Sequence, residues 1–301
     1  MSRWGCGVWC RLARGGCPMS RQTAFKDLLV PVVLGEVSAE AFDVACTLAA
    51  DSGGHVTGLV SVSVVTPMVD AMNYFPAAVY ESLGTAAREA SQRLRTGVDA
   101  CLAKYAVSSE CRVAESIWLT APEVAVLHAH YADLAVFGRT ANAAAEAERS
   151  VFSSLLLGSG RPVLVVPQHA HWAAPLRKAV VAWRPSPESS RALHDALPLL
   201  RAADSVDVVI VDPKVGETAH GELPGVDIAE HLSHHGLAVS VVSLPREGLS
   251  TGEAILRYAQ QAGAQLIVSG GYGHSRVRQQ IFGGVTRELF EHASVPVLFS
   301  H

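Results

Sequence analysis

The stretch SGGYGHSRVRQQIFGGVTREL, residues 269–289, sets Gly270, Gly273, Gly283 and Gly284 around a nine-residue spacer in the pattern G-x2-G-x9-G-G-V-T. It follows the apolar run AQLIVSG (264–270) and leads into a helical pattern. Glycines at the end of a buried strand permit left-handed backbone angles and let amide N–H groups converge on an anion with no Cβ in the way. A second glycine pair at a helix start adds unpaired amides and the positive end of a helix dipole. The chemistry this spacing points to is a phosphate cradle. Its main chain would run through Ser269, Gly270, Gly273, Gly283, Gly284 and Val285. Thr286 would donate a hydroxyl hydrogen bond, and Arg276 or Arg278 would neutralise charge. His274 is placed to contact phosphate or a partner, and equally to sit in solvent. Read without a ligand, the same glycines are a tight strand end, a turn and a plain helix start.

Other constellations are weaker. SGGYGHS is superficially similar to the SGGxDS pyrophosphate loop of ATP pyrophosphatases, but it follows the last strand but one instead of the first, and its aspartate is missing. No G-x-S-x-G elbow occurs, and no serine, histidine and carboxylate can be assigned to a triad, so no catalytic residue is assigned. Slow ATP hydrolysis by a bound water stays open. The histidines are densest at HAH (128–130), HAH (169–171) and HH (234–235), none of which brings further ligands at a recognised spacing. No metal site is assigned, and Mg2+ would enter only with ATP. Gly158 and Gly160, in LLLGSGRP, fall before a strand and read as a helix end.

The elements that must position the cradle recur along the chain. KDLLVPVVL (26–34) and RKAVVAWRP (177–185) each open a unit with a basic start, a buried-strand run and a polar lead into a helix. The first helix spans SAEAFDVACTLAADSG, with Ser38 as N-cap and Gly53 as the stop. Its counterpart is SPESSRALHDALPLLRAAD. Second strands follow at 55–65 and 205–214, then helices at 78–106 and 225–236 and third strands at CRVAESIWL and AVSVVSL. Helices at APEVAVLHAHYA and TGEAILRYAQQAG lead to fourth strands that end on Gly138 and Gly270, and each unit closes on a proline-led strand (161–167 and 295–300). Continuous apolar strands between amphipathic helices require a parallel sheet covered on both faces. The expected fold is therefore α/β, two tandem doubly wound parallel five-stranded sheets, with ligands beyond the carboxyl ends of the strands. The domains are read as 26–167 and 177–301, joined by a short semi-rigid linker, 168–176.

Length and composition agree. The chain has 301 residues, 49% of them hydrophobic and 17% charged, enough for two buried cores. A net charge of −4 with no basic stripe argues against nucleic acid as a partner. No apolar run reaches the roughly 18–20 residues that span a bilayer, so a soluble, cytoplasmic protein is expected. Residues 1–25 read as a disordered or non-native extension, with a second start at Met19. Cys6, Cys10 and Cys17 lack a fourth ligand for zinc, while Cys46, Cys101 and Cys111 read as small core hydrophobes in a reducing compartment.

From residue 26 to residue 301 the chain resembles the universal stress proteins in their tandem form, with an adenine nucleotide alpha hydrolase-like fold. Members that bind ATP carry G-x2-G-x9-G followed by Ser or Thr. Gly270, Gly273 and Gly283 match, Gly284 stands where the hydroxyl residue is usual, and Thr286 matches a second hydroxyl position. The resemblance implies an adenine nucleotide, ATP or else ADP or AMP, with adenosine near Ala182, Trp183 and Val211. An acidic residue expected after the first strand is replaced here by Arg184 and Pro185. Occupancy would order the 271–284 segment and alter a surface offered to other proteins. The first half departs further: aligned on Gly138 and Pro162, it has Ala141 against Gly273, and Arg149 and Ser150 against Gly283 and Gly284. It is expected to be vacant and structural. The last strands of the two halves are expected to pair as a pseudo-dimer, with further homodimerisation open. The resemblance implies a binder in stress response or signalling and not an enzyme, the alternative being a nucleotide-independent interaction scaffold.

Overall fold

The computed structural model describes residues 25–32, 36–63, 77–116, 118–140, 145–213, 225–272 and 283–301. The first half runs β1 (Asp27–Val32), α1 (Ala39–Ser52), β2 (His55–Ser63), α2 (Ala77–Leu102), β3 (Ser108–Ser116), α3 (Ala121–Ala129), β4 (Leu134–Arg139), α4 (Ala145–Gly158) and β5 (Val163–Pro167). The second repeats the order: β6 (Lys178–Ala182), α5 (Pro187–Leu200), β7 (Ser205–Val211), α6 (Val226–His234), β8 (Val239–Leu244), α7 (Thr251–Gln261), β9 (Leu266–Gly270), α8 (Gly284–His292) and β10 (Val297–Ser300).

Local signals account for the ends. The Ser38 hydroxyl accepts from Ala41 N, and Gly53 closes α1 at φ 62°, a left-handed angle that glycine adopts without a Cβ penalty. Ser186 and Ser250 cap α5 and α7 through the amides of Ser189 and Glu253. One strand is shifted from its sequence reading. β3 covers 108–116 and not 111–119, because Ser108 pairs with His55 at the start of β2 and Ser116 Oγ accepts from the amides of Trp118 and Leu119, turning the chain away.

The strands form one sheet in the order β3-β2-β1-β4-β5-β10-β9-β6-β7-β8. Each half is parallel and has the same strand order, with its reversal at β1/β4 or at β6/β9. The halves meet where β5 and β10 pair antiparallel, Leu164 opposite Leu298. The five-stranded units are thus fused edge to edge, and the expected pairing of the last strands is the seam. Position in the sheet sets burial: β5 and β10 are buried throughout, while the edge strands β3 and β8 are half exposed.

Helices cover both faces. Residues of α1, α2, α5 and α6 share one core, and those of α3, α4, α7 and α8 share the other. Across the seam Phe152 stacks on Phe290 at 4.6 Å and meets Phe299 edge-on at 5.2 Å, so the halves hold an aromatic cluster in common. The linker is pinned by buried Ala170 and Leu176 and by His169 N donating to Glu40 Oε1 at 3.1 Å. Cys46 and Cys101 are buried and unpaired, and burial pushes the Cys46 thiol up to about 11. Residues 1–24, with the first three cysteines, lie outside the described residues. Among the described residues no helix is long and apolar enough to cross a membrane.

Candidate functional site

The carboxyl rim of β6, β7 and β9 gathers most of the residues singled out in the second half. Ala182 and Ser269 are register partners at the ends of β6 and β9. Trp183 continues β6 by donating its amide to Val209 O at 2.9 Å, and Val211 ends β7 opposite Leu244. The side chains do not all share a face. Ala182, Val211 and Val285 pack toward the core under α7 and α8, whereas Trp183 packs toward the core under α5 and α6.

The glycines divide by what surrounds them. A Cβ built on Gly270 would stand 2.6 Å from Ser189 N and 2.7 Å from the Glu188 carbonyl carbon, so this glycine lets the first turn of α5 sit on the end of β9. Gly138 does the same for Ser38 of α1 in the first half. On Gly271 the Cβ would meet Leu156 of the first half at 2.6 Å. Gly283 and Gly284 are different. The nearest atom to a Cβ on Gly283 is Thr286 Oγ1 at 3.9 Å, nothing lies within 4 Å of one on Gly284, and Gly283 has an ordinary φ of −57°. No packing within the described residues requires glycine at either position.

These two residues open α8. The first bond within the helix is Arg287 N to Gly283 O at 2.9 Å, so the amides of Gly284, Val285 and Thr286 precede it. Gly283 has no side chain to cap them and the first turn holds no acidic residue. Thr286 is 3% exposed, and its hydroxyl oxygen accepts from Tyr272 N at 3.2 Å, which ties the end of β9 to the start of α8. Ser269, also buried, donates its hydroxyl to Gly270 O at 3.1 Å. Gly273, His274, Arg276 and Arg278 lie outside the described residues.

Two charged groups at this rim are not conspicuous in the sequence. Glu188, on the α5 turn that touches Gly270, has a buried Oε2 with no hydrogen-bond partner. Burial pushes its carboxyl up, but bonds from its own amide and the Ser186 hydroxyl outweigh this and hold it below the usual carboxylate range. Arg287, in the first turn of α8, donates to Glu291 at 3.1 Å. A helix-start acid and an arginine one turn into the next helix carry no spacing signal of their own.

Among the described residues, the matching corner of the first half holds little space. Val30, Ser38, Gly138, Thr140 and Glu148 bound a cavity of about 10 Å³, room for no more than one water. Glu148 is 3% exposed and accepts from Thr140 N at 2.9 Å, and a buried carboxylate repels phosphate. α4 begins at Ala145, so Arg149 lies within it and not at its start. Its guanidinium donates to Glu291 Oε1 of the second half at 2.9 Å. Arg139 donates to the Glu291 and Ala293 carbonyls at the end of α8, the latter at 2.9 Å. The segment aligned with the glycine motif therefore builds the joint between the halves.

The Universal stress protein family model matches residues 175–301. No curated protein matches the sequence. Among solved structures, the chain is similar to a universal stress protein from Archaeoglobus fulgidus DSM 4304, at 16% identity and a TM-score of 0.66, over 91% of this chain and 95% of that one. It is also similar to a candidate universal stress protein from Pseudomonas aeruginosa UCBPP-PA14, at 15% identity and a TM-score of 0.54, over 93% and 94%. Residues 175–301 belong to the universal stress protein family, and the chain as a whole has the tandem, two-domain form of that fold.

Proposed function

We propose that the second half binds an adenine nucleotide, ATP, at the carboxyl rim of β6, β7 and β9, and that the first half is a structural partner with no nucleotide of its own. The observation that carries this reading is the start of α8. Among the described residues no side chain caps its first three amides, and no packing requires the two glycines, Gly283 and Gly284, at which it starts. A helix N-terminus of this kind attracts anions through unpaired N–H groups and the dipole. The phosphates would lie on the Gly284, Val285 and Thr286 amides, with Arg287 the nearest described cation in sequence. Adenosine would lie toward Ala182 and Val211, and the unpartnered Glu188 oxygen suits a ribose hydroxyl donor. The roles of Gly273, His274 and Arg276 belong to the same proposal, with Mg2+ arriving on the nucleotide. The protein acts as a binder in signalling or stress response, and no residue is assigned to turnover.

Titration with ATP tests this. A Cβ at position 283 meets nothing closer than 3.9 Å among the described residues, so Gly283→Val should keep the melting temperature while weakening ATP at least tenfold; unchanged affinity removes the site. A second reading, a nucleotide-independent scaffold, is favoured by Arg184 and Pro185 after β6. Denaturing the purified protein separates the two: released ATP, ADP or AMP supports the first, and an empty supernatant together with no ATP binding supports the second.

A further inference from the structure

We propose that α5 and α6 together form a transition-metal site in which His194, His231 and His235 bind one Zn2+-class ion. One ring nitrogen from each of the three lies within 4.8 Å of the others. His231 and His235 are four residues apart on α6 and its C-cap, so their rings share a face, and His194 reaches them from the middle of α5. Ring centroids stand 4.9 Å apart for His231 and His235, 5.2 Å for His194 and His231, and 6.4 Å for His194 and His235. Nitrogens bound tetrahedrally to zinc sit roughly 3.3 Å from one another, given bonds of about 2.0–2.1 Å. Each ring therefore needs to move inward by about 1 Å or less.

Two further observations point to an ion. His231 Nε2 is buried and has no hydrogen-bond partner, a position that a polar nitrogen does not keep without cost. His194 Nδ1 lies 2.7 Å from Ser190 O. A carbonyl only accepts, so Nδ1 carries the proton and Nε2 is left with its lone pair free. That is the arrangement by which outer hydrogen bonds orient metal-bound imidazoles. Arg201 works against the ion: its Nη2 lies 3.4 Å from His235 Nδ1 and must turn away, or leave His235 to bind through Nε2. Three imidazoles favour zinc, copper or nickel over magnesium or calcium and leave one position for water. The site owes nothing to the nucleotide proposal, because α6 runs back toward the amino ends of the strands, away from the rim.

The test is Zn2+ titration of the full-length, tag-free protein, with Co2+ as a spectroscopic probe. One equivalent should bind with micromolar or tighter affinity and raise the melting temperature, and Co2+ should give the visible bands of a low-coordinate site. His194 is exposed, so His194→Ala should leave the fold intact and weaken Zn2+ at least tenfold. His231→Ala should do the same, while His171→Ala, in the linker, should change nothing. Absence of micromolar binding overturns the proposal. So does binding that survives both cluster variants, since the ion then sits on other histidines.

Discussion

Gly270, the last residue of β9, lies so close beneath α5 that a methyl group there would stand 2.6 Å from the backbone nitrogen of Ser189. Backbone cannot yield as a side-chain tip can. Gly270→Ala should therefore cost about 1–3 kcal/mol. Gly283→Ala, with open space around it, should stay within about 0.5 kcal/mol of the parent. Urea unfolding of the two variants decides the matter, and a neutral Gly270→Ala would remove the packing role assigned to this glycine.

The ion pair between Arg149 and Glu291 joins the halves and is only partly exposed. A double-mutant cycle should return a coupling of about 0.5–1 kcal/mol. Burial pushes the Glu291 carboxyl up, but hydrogen bonds from Arg287 and Arg149 prevail and hold it below its ordinary value. A depressed carboxylate stabilises the fold above its unfolded pKa and loses that contribution as pH falls through the folded one. Glu291→Gln should accordingly flatten the acid side of the stability profile, and an unchanged acid limb would show the pair to be inert.

Tyr258 behaves in the opposite sense. Burial, reinforced by its hydrogen bond to Asp207 at 2.8 Å, raises its phenol to about 12. The folded state holds this proton more tightly, so the contribution is complete below the ordinary phenol value of 10.0 and fades as pH rises toward about 12. Tyr258→Phe should lose about 1 kcal/mol near neutrality and abolish the steepening above pH 10. Absorbance titration of tyrosinate in parent and variant reads the shift directly.

Leu164 and Leu298 face each other across β5 and β10, both fully buried. Leu298→Ala should cost about 2–5 kcal/mol. Because each of the two cores runs across both halves, the variant should still unfold in a single transition by fluorescence and far-ultraviolet dichroism. Two separate transitions would mean that the halves are independent.

Much of this architecture was legible in the sequence, because buried parallel strands and capped helices leave one-dimensional marks. Ser38 and Gly53 sit where the pattern places them, the doubled alternation yields both halves, and the pairing of their last strands is what the family resemblance implies. The edge strand β3 was misplaced by three residues because its half-exposed face lacks an apolar run, while the apolar Ile117, Trp118 and Leu119 lie beyond its end. Spacing marks a glycine but not its neighbour, so the close approach of α5 to Gly270 is visible only in the fold. The aligned position of Arg149 did not disclose that α4 starts four residues earlier. His194 and His231 lie on different helices with β7 between them in sequence, and only the packing of α5 on α6 brings their rings together.

The antiparallel join of β5 to β10 turns the two halves head to tail, so their carboxyl rims look out from opposite sides of the molecule. Among the described residues, one rim ends in the uncapped start of α8 and the other is occupied by Glu148. Under the proposed function, a protein that senses the nucleotide would approach from a single direction, and the opposite pole would be free to serve as an unchanging grip.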